Sequence, residues 1–163
     1  MWRPLHCASG ILVAAVVAVT ATSCAETPEE RGGSSEPSAC SATASRPGFS
    51  HYRALKTTLV PGEPRTLRLC QYPTTEGPLE ASQLLDHRTP RLVHLLNGLP
   101  KAPPGPVPCP ANEGVRFVAR FGYARDQEAI VSVDTAGCRA VSNGSTARIA
   151  SRRLTDQLFA LMR

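Results

Sequence analysis

The stretch from Val115 to Asp134 reads VRFVARFGYARDQEAIVSVD and decides the fold. In its first half, large apolar residues alternate with small or charged residues, which is the period-two pattern of a strand buried on one face. The alternation resumes after Arg125-Asp126-Gln127, so this segment is predicted to be the loop of a β-hairpin. Such a loop keeps the apolar faces of both strands together. The predicted cross-strand pairs are Tyr123 with Ala129, Phe121 with Val131, and Ala119 with Val133.

The same hairpin predicts a pairing for the cysteines. Cys40, Cys70, Cys109 and Cys138 form an even set, which in an oxidising compartment is typical of disulfides and allows more than one connectivity. The hairpin register brings Cys138 close to Gly114, a few residues past Cys109. A Cys109–Cys138 bridge would therefore close the open end of the hairpin and leave Cys40 and Cys70 for each other. The spacings contain no C-x-x-C, which disfavours a zinc site and a redox-active dithiol.

Two helices and three further strands are predicted around the hairpin. One helix has Thr89 as its N-cap, with Pro90 in the first turn, and the other has Ser151 as its N-cap and lies at the C-terminus. Both helices carry leucines at helical spacing, so each has an apolar stripe that needs a sheet to cover. The further strands are predicted at Thr66–Tyr72, Leu79–Leu85 and Arg139–Ser142.

The order of these elements predicts an α+β fold, in which two helices pack on one face of an antiparallel sheet of four to five strands. This single domain is predicted to cover residues 49–163, a common domain size. Residues 24–48 precede it and are rich in Pro, Gly, Ser, Thr and Glu. Such a segment cannot bury enough apolar surface to offset the entropy of ordering it, so a disordered tether is predicted there.

Residues 1–23 have the pattern of a signal peptide. Arg3 supplies a positive charge, Ile11–Val19 forms an apolar core, and small residues follow it. The apolar run is too short for a bilayer-spanning helix, which needs about 20 residues. The tetrad that ends at Cys24 resembles the bacterial lipobox, in which the cysteine receives a diacylglyceryl group. Cys24 is therefore the predicted lipid-attachment residue.

These features predict that the protein is located outside the cytoplasm. With lipid on Cys24, the protein is anchored to the outer face of the bacterial cytoplasmic membrane, because two or more acyl chains hold a protein there stably. A plain secretory cleavage after Ala21 or Ser23 is the alternative and would release the protein.

Basic residues outnumber acidic ones by 18 to 13. The arginines are scattered singly along the predicted elements, so no nucleic-acid partner is expected.

Several short motifs give the chain a resemblance to one group of proteins. The motifs are Leu59-Val60-Pro61, Cys70-x-Tyr72, Leu96-Asn97-x-Leu99-Pro100, Cys109-Pro110 and Gly137-Cys138-x-x-Val141-x-Asn143-Gly144. In this order they resemble a recurrent, uncharacterised domain of secreted or lipid-anchored actinobacterial proteins. The resemblance extends from about Leu59 to the end of the chain. It implies a disulfide-linked, exported domain of a Gram-positive cell envelope, and it implies no activity.

No catalytic, cofactor-binding or metal-ligating constellation stands out in the sequence. The histidines beyond the signal peptide are His51, His87 and His94, and they lack the H-E-x-x-H spacing of a zinc protease. The sequence contains neither a G-x-S-x-G nucleophile elbow nor a Gly-rich phosphate loop. The acidic residues of the domain are spread over loops and strand edges. They include Glu113, Asp126, Glu128, Asp134 and Asp156.

Two other patterns are predicted to be structural. Phe117, Phe121 and Tyr123 share the buried face of the hairpin, so they are expected in the core rather than on a platform that stacks a ligand. Asn143-Gly144-Ser145 matches a glycosylation sequon, but the lipobox indicates a bacterium, so an Asn-Gly β-turn is expected there.

The sequence therefore predicts an exported, lipid-anchored binding or interaction module whose specific activity it does not name. The predicted partners are the membrane, through the N-terminal lipid, and an envelope protein, a polymer or a small ligand. No cofactor and no metal are predicted. The alternatives are a small hydrolase-like extracytoplasmic enzyme and a soluble secreted accessory protein. A concave pocket that joins His87 or His94 to a buried acid would favour the enzyme, whereas an exposed apolar patch would favour binding.

Overall fold

The computed structural model describes residues 36–44, 57–86, 89–103, 108–111 and 113–163. Within them the chain forms a six-stranded antiparallel sheet and two helices, which confirms the predicted α+β class. The predicted signal peptide, Cys24 and most of the predicted tether lie outside the described residues, as do His51 and His87. The elements are β1 (Thr66–Tyr72), β2 (Ala81–Leu85), α1 (Thr89–Asn97), β3 (Arg116–Gly122), β4 (Glu128–Asp134), β5 (Ala140–Ser142), β6 (Ala147–Ile149) and α2 (Arg152–Leu161).

The sheet has the strand order β2-β1-β3-β4-β5-β6, one strand more than the sequence predicts. The additional strand, β6, has three residues and pairs with β5 after the turn at Asn143-Gly144. In this turn the Asn143 side chain accepts hydrogen bonds from the N–H groups of Ser145 and Thr146, at 3.0 and 2.8 Å. Gly144 takes a positive φ of 87°. The predicted β-turn is thus present, but three residues are too few to reveal β6 by alternation.

The β3–β4 hairpin is present, but its predicted register is wrong by two residues. The sequence predicts Phe121 opposite Val131, whereas the structure places Ala129 there. The reason is the position of the loop. The sequence predicts Arg125-Asp126-Gln127, whereas the loop in the structure is Ala124-Arg125-Asp126. Its last two residues take left-handed φ values of 61° and 55°, a conformation that Asp adopts more readily than most residues. Because the shift is even, every side chain keeps its predicted face.

One face of the sheet carries the main hydrophobic core. Its side chains come from β1, β3, β4 and β5, and the buried leucines of both helices belong to the same cluster. Phe117 of β3 also meets Phe159 of α2 edge to face, with ring centroids 5.0 Å apart. Burying one large apolar side chain stabilises a fold by about 1.5–3 kcal/mol. The strand members of the cluster are Leu67, Leu69, Phe117, Ala119, Phe121, Ala129, Val131, Val133 and Val141.

The two helices begin differently. Ser151 caps α2 as predicted, because its side chain accepts a hydrogen bond from the N–H of Leu154 at 3.2 Å. Thr89 is the first residue of α1 and is buried, and its hydroxyl donates to the carbonyl oxygen of Leu85 at 3.5 Å. This contact ties the start of α1 to the end of β2.

Two asparagine side chains fix the segment that precedes β1. The Asn97 amide at the end of α1 accepts from the N–H groups of Leu59 and Val60, both at 3.0 Å, and donates to the carbonyl of Val60 at 2.8 Å. The Asn143 amide donates to the carbonyls of Thr58 and Leu59, both at 3.1 Å. These bonds pair backbone groups that no strand satisfies. The segment thus joins the end of α1 to the β5–β6 turn.

We expect Asn97→Ala to lower the free energy of unfolding by about 2–4 kcal/mol, because three hydrogen bonds are lost and buried backbone groups lose their partners. Arg91→Ala, on the exposed side of α1, is the control and should change stability by less than about 0.5 kcal/mol. Urea unfolding of both variants gives the comparison. Equal stability of the two variants would show that the Asn97 bonds contribute nothing.

Candidate functional site

The second face of the sheet is covered by residues 36–44, which we call the strap. The Cys40–Cys70 disulfide holds the strap on β1, with Cα atoms 5.8 Å apart. Beyond the bridge, the N–H of Ala44 donates to Gly77 at 2.9 Å, and the carbonyl of Ala42 accepts from Leu79 at 2.8 Å. The strap is therefore an ordered part of the domain.

The strap corrects the predicted boundary between tether and domain. The sequence assigns residues 24–48 to a disordered tether, because they contain hardly a large apolar side chain. Residues 36–44 are held instead by a covalent bridge and by backbone hydrogen bonds, neither of which depends on apolar composition. The prediction for the remainder of the tether falls on residues outside the described ranges.

A small second core lies between the strap and the sheet. Its buried members are Ala44, Cys70, Tyr72 and Val118. The hydroxyl of Tyr72 donates to the carbonyl of Ser41 in the strap at 2.9 Å. Burial raises the pKa of Tyr72, and the nearby charge of Arg120 opposes this effect. The phenol therefore stays neutral at physiological pH and serves as a hydrogen-bond donor to the strap.

Arginine–carboxylate pairs occupy the rest of this face. Arg120 and Glu128 form two parallel hydrogen bonds of 3.0 and 2.7 Å, and Arg116 pairs with Asp134 in the same way at 2.7 and 3.1 Å. Glu128 also accepts from the N–H of Ser38 in the strap at 2.9 Å. Such bidentate pairs are among the stronger hydrogen bonds. Glu128 and Asp134, two of the acidic residues considered in the sequence, are thus structural partners of arginine.

The remaining candidate residues do not converge on a reaction centre. His94 lies exposed on α1, beside a cleft of about 540 Å³. Glu63 is the one acidic residue among the described residues that line this cleft, and it is also exposed. The pocket with a buried acid that would favour an enzyme is therefore not formed at His94. Glu113, Asp126 and Asp156 are exposed and far apart in the chain. In the part of the chain that the structure describes, no three His, Cys, Asp or Glu residues could jointly hold a metal ion.

The second disulfide and the aromatic residues have structural roles. Cys109 and Cys138 are bridged, with Cα atoms 5.1 Å apart, so both disulfides have the connectivity that the hairpin indicated. Phe117, Phe121 and Tyr123 are buried in the main core. The hydroxyl of Tyr123 donates to the carbonyl of Pro61 at 2.6 Å. These rings are therefore closed to a stacking ligand.

The two edges of the sheet differ, and this difference was not visible in the sequence. Beside β6, the carbonyl of Pro100 accepts from Ile149 at 3.2 Å, and the N–H of Ala102 donates to Ala147 at 3.4 Å. In the described structure, β2 pairs only with β1, and no segment covers its outer side. We call this side of β2 the open edge. An uncovered strand presents backbone N–H and C=O groups that can pair with another chain.

Apolar surface accompanies the open edge. Leu84 is 41% exposed and is the one exposed large hydrophobic residue among those described. A cleft of about 380 Å³ adjoins β2 where α2 ends, and Leu85, Ala160 and Leu161 contribute its apolar wall. Asp86 and Arg163 place one charge of each sign at the cleft. The strand itself, ASQLL, carries neither a charged residue nor a proline, the devices that commonly protect an edge.

Comparison of the chain with protein families, with curated proteins and with solved structures found no match. The resemblance to the actinobacterial exported domain therefore stays a prediction.

Two disulfides indicate an extracytoplasmic protein, because such bridges persist in oxidising compartments. No helix among the described residues has the length and apolar character needed to cross a bilayer.

The raised pKa of Tyr72 predicts a loss of stability at alkaline pH. Its contribution is fully present below the ordinary tyrosine pKa of about 10 and is lost as the pH rises through the higher value of the folded state. We expect Tyr72→Phe to lose about 1 kcal/mol at neutral pH, from the missing bond to the strap. We also expect it to show a shallower alkaline decline.

Thermal unfolding between neutral and strongly alkaline pH measures both effects. Ser41→Ala is the control, because it keeps the backbone carbonyl that accepts the Tyr72 bond, and it should follow the wild-type profile. An alkaline decline in Tyr72→Phe as steep as that of the wild type would assign the loss to other groups.

Proposed function

We propose that this protein is an exported interaction module that binds an extended segment of another envelope protein along its open edge. The observation that carries the proposal is the contrast between the two edges of the sheet. The β6 edge is covered by the backbone of residues 100–102, whereas β2 has no cover among the described residues. A partner segment that pairs with β2 would add a seventh strand to the sheet.

The side chains of the open edge support binding of a strand rather than of a compact ligand. In strand addition, main-chain hydrogen bonds supply affinity, and pockets for alternate side chains supply specificity. Leu84 lies on the strap side of β2, opposite Arg68, and Leu85 lies on the helix side, opposite Leu67. The cleft beside Leu85 offers an apolar wall to every second side chain of an added strand.

The lipid anchor gives this module a position at the membrane. We propose that Cys24 carries the diacylglyceryl group and that the mature protein stays on the outer face of the cytoplasmic membrane. Since the strap begins at Glu36, the chain between the two residues can reach at most about 40 Å. This length limits how far Glu36 can lie from the lipid-bearing residue. The soluble, secreted form remains the alternative if Cys24 is not acylated.

Substitution of Leu84 by Lys is expected to abolish strand addition. The ammonium group replaces apolar contact surface at the open edge and opposes pairing with an incoming apolar strand. Ala140→Lys is the matched control, because it introduces the same charge at an exposed position of β5, a strand paired on both sides. Both variants should unfold within about 0.5 kcal/mol of the wild type, since they change exposed side chains.

The experiment places a photo-reactive residue at Gln83 and cross-links the exported protein in intact cells. The cross-linked segment of the partner is then synthesised as a peptide, and hydrogen exchange of the β2 amides is measured with and without it. We expect the peptide to slow exchange in β2 for the wild type and for Ala140→Lys, and to have no effect on Leu84→Lys. Cross-links only to a second copy of the chain, or protection that persists in Leu84→Lys, would contradict the proposal.

Acylation of Cys24 has its own test. We expect mass spectrometry of the exported wild type to show a mature chain that begins at a lipid-modified Cys24. We expect Cys24→Ser to be absent from the population of mature, membrane-anchored protein, because it lacks the thiol that receives the lipid. A Cys24→Ser protein that is cleaved and still bound to the membrane would remove the lipid anchor from the proposal.

A further inference from the structure

The described arginines with buried or partly buried side chains differ in how their charge is compensated. Arg68, Arg116 and Arg120 each pair with a carboxylate. Arg148, in β6, is only 8% exposed, and no acidic side chain among the described residues pairs with it. Its Nη2 donates to the carbonyl of Thr57 at 2.8 Å, and its Nε has no hydrogen-bond partner. A buried guanidinium in this state is costly, because its charge has left water without gaining a counter-charge.

The sequence around Arg148 offers no carboxylate to compensate it. Residues 45–56 and 104–107 adjoin this corner along the chain, and neither segment contains Asp or Glu. Thr58, next to the carbonyl that Arg148 contacts, has a buried hydroxyl oxygen that also lacks a partner. These two atoms are the unpaired buried side-chain groups of the described structure, and they belong to the same corner of the fold.

Arg148 also lines a cleft of about 350 Å³ at the β6 end of the sheet. Lys101 adds a second positive charge, and Thr57 and Ser145 add hydroxyl groups. None of the described residues that line the cleft is acidic. Its donors are thus of the kinds that bind the oxygens of an anion, namely a guanidinium, an ammonium group and hydroxyls.

We propose that this cleft binds a phosphate group, with Arg148 and Lys101 as its charged ligands. Guanidinium and ammonium groups are the usual protein partners of phosphate, and hydroxyl donors suit its remaining oxygens. A bound phosphate would supply the counter-charge that Arg148 lacks. The group can belong to a small phosphate monoester or to the phosphodiester of a lipid headgroup. The site is formed at β6, the strand farthest from the open edge in the sheet order, so it goes beyond the proposed function.

The test is a titration of the exported protein with inorganic phosphate at constant ionic strength, followed by amide chemical shifts. We expect saturable shifts confined to Lys101, Ala102 and residues 145–148. Lys101→Met, at an exposed position, should weaken binding about tenfold, which corresponds to the loss of one charge-assisted contact. Arg148→Met should abolish saturable binding. Arg152→Met, at an exposed position of α2 outside the cleft, should bind as the wild type does.

A parallel titration with glycerophosphoglycerol, a soluble phosphodiester headgroup, distinguishes the two sources of phosphate. Tighter binding of inorganic phosphate favours a monoester ligand, and tighter binding of the diester favours a lipid headgroup. The proposal is overturned if neither probe gives saturable shifts in the wild type. It is also overturned if Lys101→Met and Arg152→Met respond alike, because the shifts would then report general ionic effects. Since Lys101 is exposed, its variant tests the site even if Arg148→Met fails to fold.

Discussion

The pairing of β1, β3 and β4 is the constraint on which the rest of the molecule depends. Side chains in these strands alternate between two unlike faces, one apolar and one carrying arginines and carboxylates. The apolar face is buried by the leucines of α1 and α2, which belong to the same core. The other face carries polar and charged side chains, so an apolar helix does not suit it. The strap covers this face and is held there by a disulfide and by hydrogen bonds with Glu128 and Tyr72.

The strap explains how so small a domain covers both sides of its sheet. A third helix would require an apolar stripe, whereas the strap covers β1 with a few extended residues held by Cys40. Apart from the Cys40 bridge and the ion pair of Glu36 with Arg68, its hydrogen bonds run through the main chain, to Tyr72, Glu128 and the turn after β1. They therefore place few demands on the strap's own side chains. Among the described residues this cover stops before β2, and the edge strand keeps its exposed leucine.

Sequence periodicity predicted the elements that bury apolar residues in a regular pattern. The hairpin, both helices and the cysteine pairing belong to this group, since each depends on spacing along one or two neighbouring segments. It failed where the determinant does not repeat along the chain. The strap depends on backbone bonds from residues 36–44 to the turn after β1, β6 depends on β5 and on the backbone near Pro100, and the loop depends on left-handed residues at Arg125 and Asp126. The open edge and the unpaired Arg148 became visible only with the strand order.

Both disulfides join cysteines that are consecutive among the bridged four, so the first loop ends before the second begins. If the chain is exported amino terminus first and Cys24 is acylated as proposed, Cys40 and Cys70 are the first free thiols of the mature chain to reach the oxidising side, while Cys109 and Cys138 are still behind. Oxidation in order of arrival then gives the native connectivity at both steps. The topology thus makes assembly independent of bridge reshuffling, as long as oxidation keeps pace with translocation.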